Sequence, residues 1–168
     1  DDKVFAAVHN KIISYGIDAV PLLEESSFSV SDTNTRIRIE SLISQIRSRD
    51  TFVKLKNWAD HRSFDLLDAY CLISNLYQEE ESTTANRKSI EKLYRDVWLE
   101  MNDELTALEK IRLVNHVFFD VYRFSGHQSD HASLPAYLLG SLLRMQSGNP
   151  LSMSVLYLIV SQKLGLPI

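Results

Sequence analysis

Apolar residues recur every three to four positions along this chain, and that spacing constrains its fold more than any other feature. The recurrence is present in every longer segment, whereas the alternation of β-branched residues that marks strands is missing. Only 5 Gly and 4 Pro occur in 168 residues, and most of them fall between apolar segments, where they indicate helix ends. We therefore predict an all-α chain of about eight helices with essentially no β-sheet.

The composition narrows the classes of partner. The chain carries 18 Lys+Arg against 22 Asp+Glu, a net charge of -4, so it lacks the basic excess on which nucleic-acid binding depends. Its most apolar run, residues 153–160, is far shorter than the roughly 20 residues of a membrane-spanning helix. With 45% apolar residues the chain can bury a full core. We expect a globular protein that binds neither nucleic acid nor membrane.

The single cysteine, Cys71, excludes an internal disulfide framework and a multi-thiolate metal site. It lies in the apolar run DLLDAYCLISNLY, which predicts a buried core thiol. A lone thiol in a chain without a recognisable signal peptide fits a reducing compartment, so we expect a cytoplasmic location. The sequence starts at Asp1 without a Met and stops at Ile168, and we expect both ends to be cut from a longer protein.

The first 50 residues have the pattern of helical hairpins. A helix over residues 3–15 is predicted to end at a left-handed Gly16, and a second helix follows from Asp18 with Pro21 in its first turn. Asp32 is expected to cap a third helix. An offset of about 31 residues superposes the first helix on the third as a faint internal repeat. The stretch IISYGIDAVPLL resembles a HEAT-type unit, and units of that type stack and bind proteins.

Further helices are predicted after this segment. They cover residues 52–58, 64–77 after a cap at Ser63, and 86–101, with a polar loop over residues 78–84. Thr106 and Glu109 have the spacing of a capping box that opens a helix reaching about residue 124. The predicted inward stripe of that helix consists of Ile111, Val114, Asn115, Phe118, Val121 and Tyr122.

Two motifs in the last third of the chain indicate a family. The run LEKIRLVNHVFFDVYRFSG is followed by GNPLSMSVLYLIVSQKLGLPI, and in this order they resemble the SirB-type branch of the transglutaminase-like superfamily. The resemblance covers residues 104–168 and extends more loosely to the helices before them. It implies the helical part of a transglutaminase-like domain over residues 51–168, in a chain truncated before the β part of that fold, and the HEAT-type resemblance places helical hairpins over residues 1–50 before it.

The resemblance also implies where catalysis would be located. Catalytic members of the superfamily place a cysteine after a Gly-x turn at the start of a buried helix, where the helix dipole stabilises a thiolate. The corresponding turn of this chain is Gly148-Asn149-Pro150. Asn149 suits a helix cap and Pro150 a first helical position, but proline has no nucleophilic atom. The histidine and aspartate of the family's triad would follow Ile168, so we expect no catalytic residue in this chain.

Other polar residues are candidates for a site. Ser152 and Ser154 in the first turn of the last helix are expected to be local capping groups rather than nucleophiles. Asn115 is expected to tie its helix to a neighbouring helix or to the turn at residues 148–150, with ligand binding as the alternative. The family-motif set is therefore Asn115, Gly148, Asn149, Pro150, Ser152 and Ser154.

A polar loop contains the only metal-like cluster in the sequence, which consists of His127, Asp130 and His131. We expect a solvated loop there, since an adventitious zinc or nickel site would lack a fourth ligand. No metal and no cofactor are expected.

Two functions remain open from the sequence. The first is a non-catalytic transglutaminase-like protein that serves as a protein-interaction or scaffold module. The alternative is a cysteine-type peptidase or acyl transferase of the same superfamily with catalytic residues beyond Ile168. The helix over residues 150–164 is apolar nearly all the way round, so we also expect self-association through an exposed patch around Val155, Leu158 and Ile159.

Overall fold

The computed structural model describes residues 2–61, 65–74, 76, 80–126 and 134–167, which are almost entirely helical. Within these ranges the one sheet is a parallel pair of two-residue strands, β1 at Ser125–Gly126 and β2 at Ser147–Gly148. The prediction of an all-α chain is confirmed.

The chain divides into two compact units, Asp1–Ser63 and Phe64–Ile168. The boundary predicted at residue 50 falls inside one continuous helix, α3, which spans Thr33–Asp60. The separate helix expected over residues 52–58 is therefore the last part of α3. No Gly or Pro interrupts this 28-residue segment, so nothing in its local sequence ends the helix. The HEAT-like character of the first 50 residues stays a prediction.

The first unit contains α1 (Asp2–Tyr15), a 3₁₀ turn (Gly16–Ala19), α2 (Val20–Ser29) and α3. Gly16 ends α1 with φ of 64°, as predicted, and the Asp32 carboxylate caps α3 by accepting a hydrogen bond of 2.8 Å from the Thr35 amide. Few of the described side chains of this unit are buried; they are Val20, Leu42, Ile46 and Thr51. The side chains of Val4, Val8 and Tyr15, which recur at helical spacing along α1, are exposed. This unit therefore has a small core.

The second unit contains the remaining elements: α4 (Leu66–Ser74), α5 (Glu80–Glu100), α6 (Ala107–Asn115), a π-helical turn (His116–Val121), β1, α7 (Leu134–Tyr137), α8 (Leu139–Met145), β2 and α9 (Pro150–Lys163). The prediction of a polar loop is wrong for residues 80–84, which form the start of α5. Glutamates are good helix formers, and negative charge at a helix N-terminus is favoured by the helix dipole. The cap predicted at Ser63 lies outside the described residues.

The long helix after Thr106 changes its hydrogen-bonding pattern partway. Its capping box is present as predicted, but after Asn115 the chain makes a π-helical turn, which holds more residues per turn than an α-helix. The turn rotates the register, so Val117 is buried whereas Val121 is 56% exposed. Ile111 and Asn115 are exposed as well. The predicted inward stripe is thus wrong at Ile111, Asn115 and Val121.

The core of the second unit is formed by side chains from α4 to α9. Leu156, Ile159 and Val160 of α9 are fully buried within it, against residues that include Ile90 and Phe118. The expectation of an exposed patch that includes Ile159 is therefore wrong, since this side chain is only 1% exposed. The other helices of the second unit cover the side of α9 that carries Ile159. The exposed side of α9 carries other residues.

Two further expectations concern the burial of Cys71 and the presence of a membrane-spanning helix. Cys71 is buried, as predicted, and burial raises the pKa of its thiol. In the part of the chain that the structure describes, no helix combines the length and the apolar character needed to span a bilayer.

Candidate functional site

The turn Gly148-Asn149-Pro150 connects β2 to α9 and places the family-motif residues at a helix start. The Asn149 carboxamide oxygen Oδ1 accepts a hydrogen bond of 2.8 Å from the Ser152 amide, and Pro150 occupies the first turn, where a missing N–H costs nothing. The predicted cap is confirmed. At its other end α9 is followed by Gly165, which is left-handed with φ of 67°, a common conformation after a helix.

Gly148 is a glycine because no side chain fits at its position. A Cβ atom there would lie 2.5 Å from Ser152 Oγ and 2.8 Å from a methyl group of Leu142. The close approach of α8 to the start of α9 therefore depends on this residue. Sequence reasoning marked Gly148 only as part of the family motif and gave no sign of this steric requirement.

Ser152 is 2% exposed and engaged in local hydrogen bonds. Its Oγ lies 2.8 Å from the carbonyl oxygen of Ala136 and 3.1 Å from that of Asn149, and the hydroxyl proton is donated to these acceptors. The backbone N–H of Asn149 donates to the same Ala136 carbonyl oxygen at 3.3 Å. A backbone carbonyl cannot take up a proton as a general base. Ser152 thus fixes the segment at Ala136 and is not set up as a nucleophile.

Tyr70 supports the same segment from α4. Its hydroxyl donates to the backbone carbonyl of Tyr137 at 2.7 Å, and the neighbouring Ser74 hydroxyl accepts from the Leu139 amide at 3.4 Å. Burial raises the pKa of Tyr70 far above its ordinary value, so the hydroxyl stays protonated and remains a donor. Sequence reasoning missed both residues, since nothing in the local pattern links α4 to a segment more than sixty positions later.

The Asn149 side-chain amide nitrogen lacks a protein partner. The side chain of Asn149 is 2% exposed, and within the described ranges its Nδ2 has no hydrogen-bond acceptor, which leaves a buried donor at the start of α9. Ser161 Oγ, which lies further along α9, is also buried without a hydrogen-bond partner among the described residues.

On another side of the α9 start lies a neutral groove of about 600 Å³. We define the neutral groove by its lining residues, which are Asn115, Phe118, Phe119, Gly126, Pro150, Met153, Ser154, Tyr157 and Leu158. Three of the predicted site residues, Asn115, Pro150 and Ser154, meet here. Gly148, Asn149 and Ser152 do not line the groove, so the family-motif set separates into a structural clamp and a surface cavity.

Asn115 and Tyr157 form the polar corner of the neutral groove. The Tyr157 hydroxyl donates to Asn115 Oδ1 at 2.9 Å, which ties the end of α6 to α9 as expected for Asn115. Burial raises the pKa of Tyr157, so its hydroxyl is the donor in this bond. The Nδ2 group of Asn115 is then available as a donor at the groove wall.

Ser154 is exposed in the neutral groove, and among the described residues that line the groove there is no carboxylate or imidazole that could serve as a base. A histidine–carboxylate pair is adjacent in sequence to the lining residues Asn115 and Phe119, where His116 Nδ1 lies 2.9 Å from Asp120 Oδ2. Both side chains are more than half exposed, and neither lines the groove. The expectation that Ser154 is not an activated nucleophile is consistent with this geometry.

The metal-like residues His127, Asp130 and His131 lie outside the described residues. Elsewhere in the described chain, no three His, Cys, Asp or Glu side chains are grouped as metal ligands would be. The metal expectations therefore stay predictions.

A larger cavity of about 760 Å³ is lined by α5, α6 and the residues that follow α9. Its lining includes Asp103 and Lys110 together with Trp98 and Ile111. Charges of both signs beside apolar groups point to no single ligand chemistry.

Comparison with known proteins gives two matches. The profile of the Transglutaminase-like superfamily matches residues 84–168, just over half of the chain. F-box only protein 21 of Mus musculus is 34% identical over 55 residues, which cover 33% of this chain and 9% of the mouse protein. The chain thus corresponds to a small part of that relative. No solved structure matches.

Proposed function

The chain belongs to the transglutaminase-like superfamily, and we propose that it is a non-catalytic member whose helices form a protein-interaction module. The observation that carries this proposal is Pro150. The resemblance puts the superfamily's nucleophilic cysteine in this turn, and proline has no atom that could attack an acyl group.

The hydroxyl groups next to Pro150 do not replace the missing thiol. Ser152 is buried and donates its proton to backbone carbonyl oxygens. Ser154 is exposed but faces a lining without a base. The turn therefore acts as a structural clamp that holds α7, α8 and α9 together, and this supports a binding role over chemistry.

The outer face of α9 supports the interaction role. We define it as Leu151, Ser154, Val155, Leu158 and Gln162, which recur at helical spacing. Leu151 is 61% exposed, and Val155 and Leu158 are half-buried. An apolar stripe rimmed by polar residues is typical of a protein-binding surface. We also propose that this face, rather than one that includes Ile159, mediates self-association when no partner is bound.

The same proposal includes the branch of the superfamily, the character of the first 50 residues and the cellular location. We place the chain in the SirB-type branch on the order of its two motifs, and we assign a HEAT-like character to residues 1–50. We propose a cytoplasmic location, which the single buried thiol of Cys71 supports. Since the match covers 9% of the mouse relative, any activity of a longer protein is a separate question.

Photo-crosslinking tests the binding role. A photoreactive phenylalanine analogue is placed at Leu151, or at Leu99 of α5 as a control of similar exposure. In cells of origin we expect one protein to be recovered with the Leu151 probe and not with the Leu99 probe. Identical recovery from both positions, or from neither, would contradict the proposal.

An activity assay tests the non-catalytic part. Purified chain is expected to give no turnover of glutamine-containing peptides or simple amides. Turnover that Ser152→Ala or Ser154→Ala abolishes without unfolding would contradict it. Turnover found only in a chain extended beyond Ile168 would favour the alternative of a peptidase or acyl transferase.

Sedimentation tests self-association. Wild-type chain is expected to associate at high micromolar concentration, and Leu151→Arg is expected to shift it toward monomer whereas Leu99→Arg does not. A monomeric wild type, or equal behaviour of both variants, would contradict self-association through α9.

A further inference from the structure

The neutral groove has the size and composition of a ligand site. Its volume of about 600 Å³ falls within the range of pockets that hold small ligands or side chains. Most of its wall is apolar, and its partly exposed apolar side chains include those of Phe119, Met153 and Leu158. None of the lining residues carries a charge, so an ionic ligand would lose its hydration there without gaining a counter-ion.

Two polar groups of the neutral groove can donate a hydrogen bond to a ligand. Because the Tyr157 hydroxyl bonds Asn115 Oδ1, the Asn115 amide nitrogen is left to donate, and the Ser154 hydroxyl is a second donor. Neutral donors beside an apolar wall match a neutral acceptor attached to an apolar group. The carbonyl of a peptide amide next to an aromatic or aliphatic side chain has this chemistry.

The groove wall is shaped by uncommon backbone features. The π-helical turn presents Phe118 and Phe119 in succession, with ring centroids 5.2 Å apart, and the Phe118 ring lies 5.4 Å from that of Tyr157. Arg123 adopts a left-handed conformation with φ of 57° before the chain reaches Gly126 at the groove. π-helical turns and left-handed non-glycine residues both occur preferentially at functional sites.

We propose that the neutral groove binds an uncharged peptide segment of a protein partner, with one aromatic or large aliphatic side chain inserted among Phe119, Met153 and Leu158 and an adjacent backbone carbonyl bonded to Asn115. The inference rests on the proposed function, since it names the site within that interaction surface. The groove shares Ser154 and Leu158 with the outer face of α9, so a partner lying along that face reaches the groove.

Nuclear magnetic resonance titration tests the proposal with defined probes. The first is a pentapeptide with blocked ends and one phenylalanine among alanine and serine residues, and the second has alanine in place of that phenylalanine. The phenylalanine peptide is expected to shift the Gly126 and Ser154 amides and the Met153 methyl group saturably. The alanine peptide is expected to bind at least about tenfold more weakly, because it buries far less apolar surface.

Further experiments distinguish a peptide from a small amide or a second copy of the chain as the occupant of the groove. N-acetyl-phenylalanine with a free carboxylate is expected to bind more weakly than its methylamide, because the groove has no cation. Saturation by the small methylamide without any binding of the pentapeptide would overturn the assignment to a peptide and indicate a small amide. Shifts at groove residues on simple dilution of the protein would overturn it in favour of a second copy of the chain.

Matched variants locate the binding. Leu158→Arg is expected to abolish the phenylalanine-peptide shifts, whereas Leu99→Arg, an exposed leucine outside the groove, is expected to leave them unchanged. Asn115→Leu keeps the side-chain volume and is expected to weaken binding by about fivefold, the loss of one neutral hydrogen bond. Circular dichroism establishes that each variant is folded.

The outcomes distinguish this inference from the proposed function. If no probe gives saturable shifts, or if Leu158→Arg and Leu99→Arg behave alike, the peptide site is overturned. A partner crosslinked specifically at Leu151 would still support the interaction module in that case. If Leu151 crosslinks nothing, the proposed function itself fails.

Discussion

At the scale of the residue, the family-motif turn is explained by steric fit. The glycine lets α8 and the first turn of α9 approach, and the serine and asparagine that follow satisfy backbone groups at the helix start. The asparagine and proline of this turn were predictable, because caps depend on side chains within three residues of the backbone groups that they satisfy. The need for glycine was not, since it depends on a side chain of another helix.

Gly148→Ala is therefore expected to destabilise the chain by about 1–3 kcal/mol, because the added methyl group would overlap Ser152 and Leu142. Denaturant unfolding followed by circular dichroism measures the change. Gly126→Ala is the matched control, since nothing lies within 4 Å of a Cβ atom there. Its effect is expected to stay within about 0.5 kcal/mol, and equal losses at both positions would refute the steric explanation.

At the scale of the element, the π-helical turn decides which residues of the long helix reach the core. Val117 is 1% exposed and Val121 is 56% exposed, whereas an uninterrupted α-helix would place Val121 on the same face as the buried Val114 and Phe118. The spacing of apolar residues gives no signal for this turn, because both residues are equally apolar.

Val117→Ala is expected to cost about 2 kcal/mol through lost apolar burial and a small cavity. Val121→Ala is expected to cost less than about 0.5 kcal/mol, as surface substitutions usually do. Chemical denaturation of the two variants provides the comparison. A larger loss for Val121→Ala would show that the helix is in the α register after all.

The capping box at the start of α6 should give a pH-dependent contribution to stability. Hydrogen bonds from the Thr106 hydroxyl and amide lower the pKa of Glu109 in the folded chain. A lowered folded-state pKa means that the stabilisation is complete above the unfolded value of about 4.3 and is lost as pH falls through the folded value. The stability difference between wild type and Glu109→Gln is therefore expected to shrink between neutral and acidic pH.

Thr106→Ala supplies the internal control for this prediction. In that background the Glu109 carboxylate loses the donor hydroxyl, so the effect of Glu109→Gln on stability is expected to depend less on pH than it does in the wild type. Unfolding curves of the wild type, the two single variants and the double variant at several pH values measure it. An effect of Glu109→Gln that is the same at all pH values would contradict a role of the ionised carboxylate in the cap.

At the scale of the whole molecule, the two units differ in the size of their buried hydrophobic core. The main buried apolar cluster consists entirely of residues between Leu67 and Val160, whereas the first unit buries only a few side chains. Residues 64–168 expressed alone are therefore expected to unfold cooperatively, and residues 1–63 alone are expected to be marginal, since a small core cannot offset chain entropy. Thermal unfolding of both fragments by circular dichroism decides. Cooperative unfolding of the first fragment alone would contradict this view.

The sequence by itself determined the helical class of the chain and several of the helix ends. Asp32, Thr106 and Asn149 cap helices, and Gly16 and Gly165 end them, because these effects involve atoms only a few residues apart. Only the tertiary structure decided the rest. The Tyr70 bond to the Tyr137 carbonyl joins residues 67 positions apart, and the neutral groove joins the end of α6 to α9, more than thirty positions later. Such contacts depend on how helices pack and not on the spacing of apolar residues within one of them.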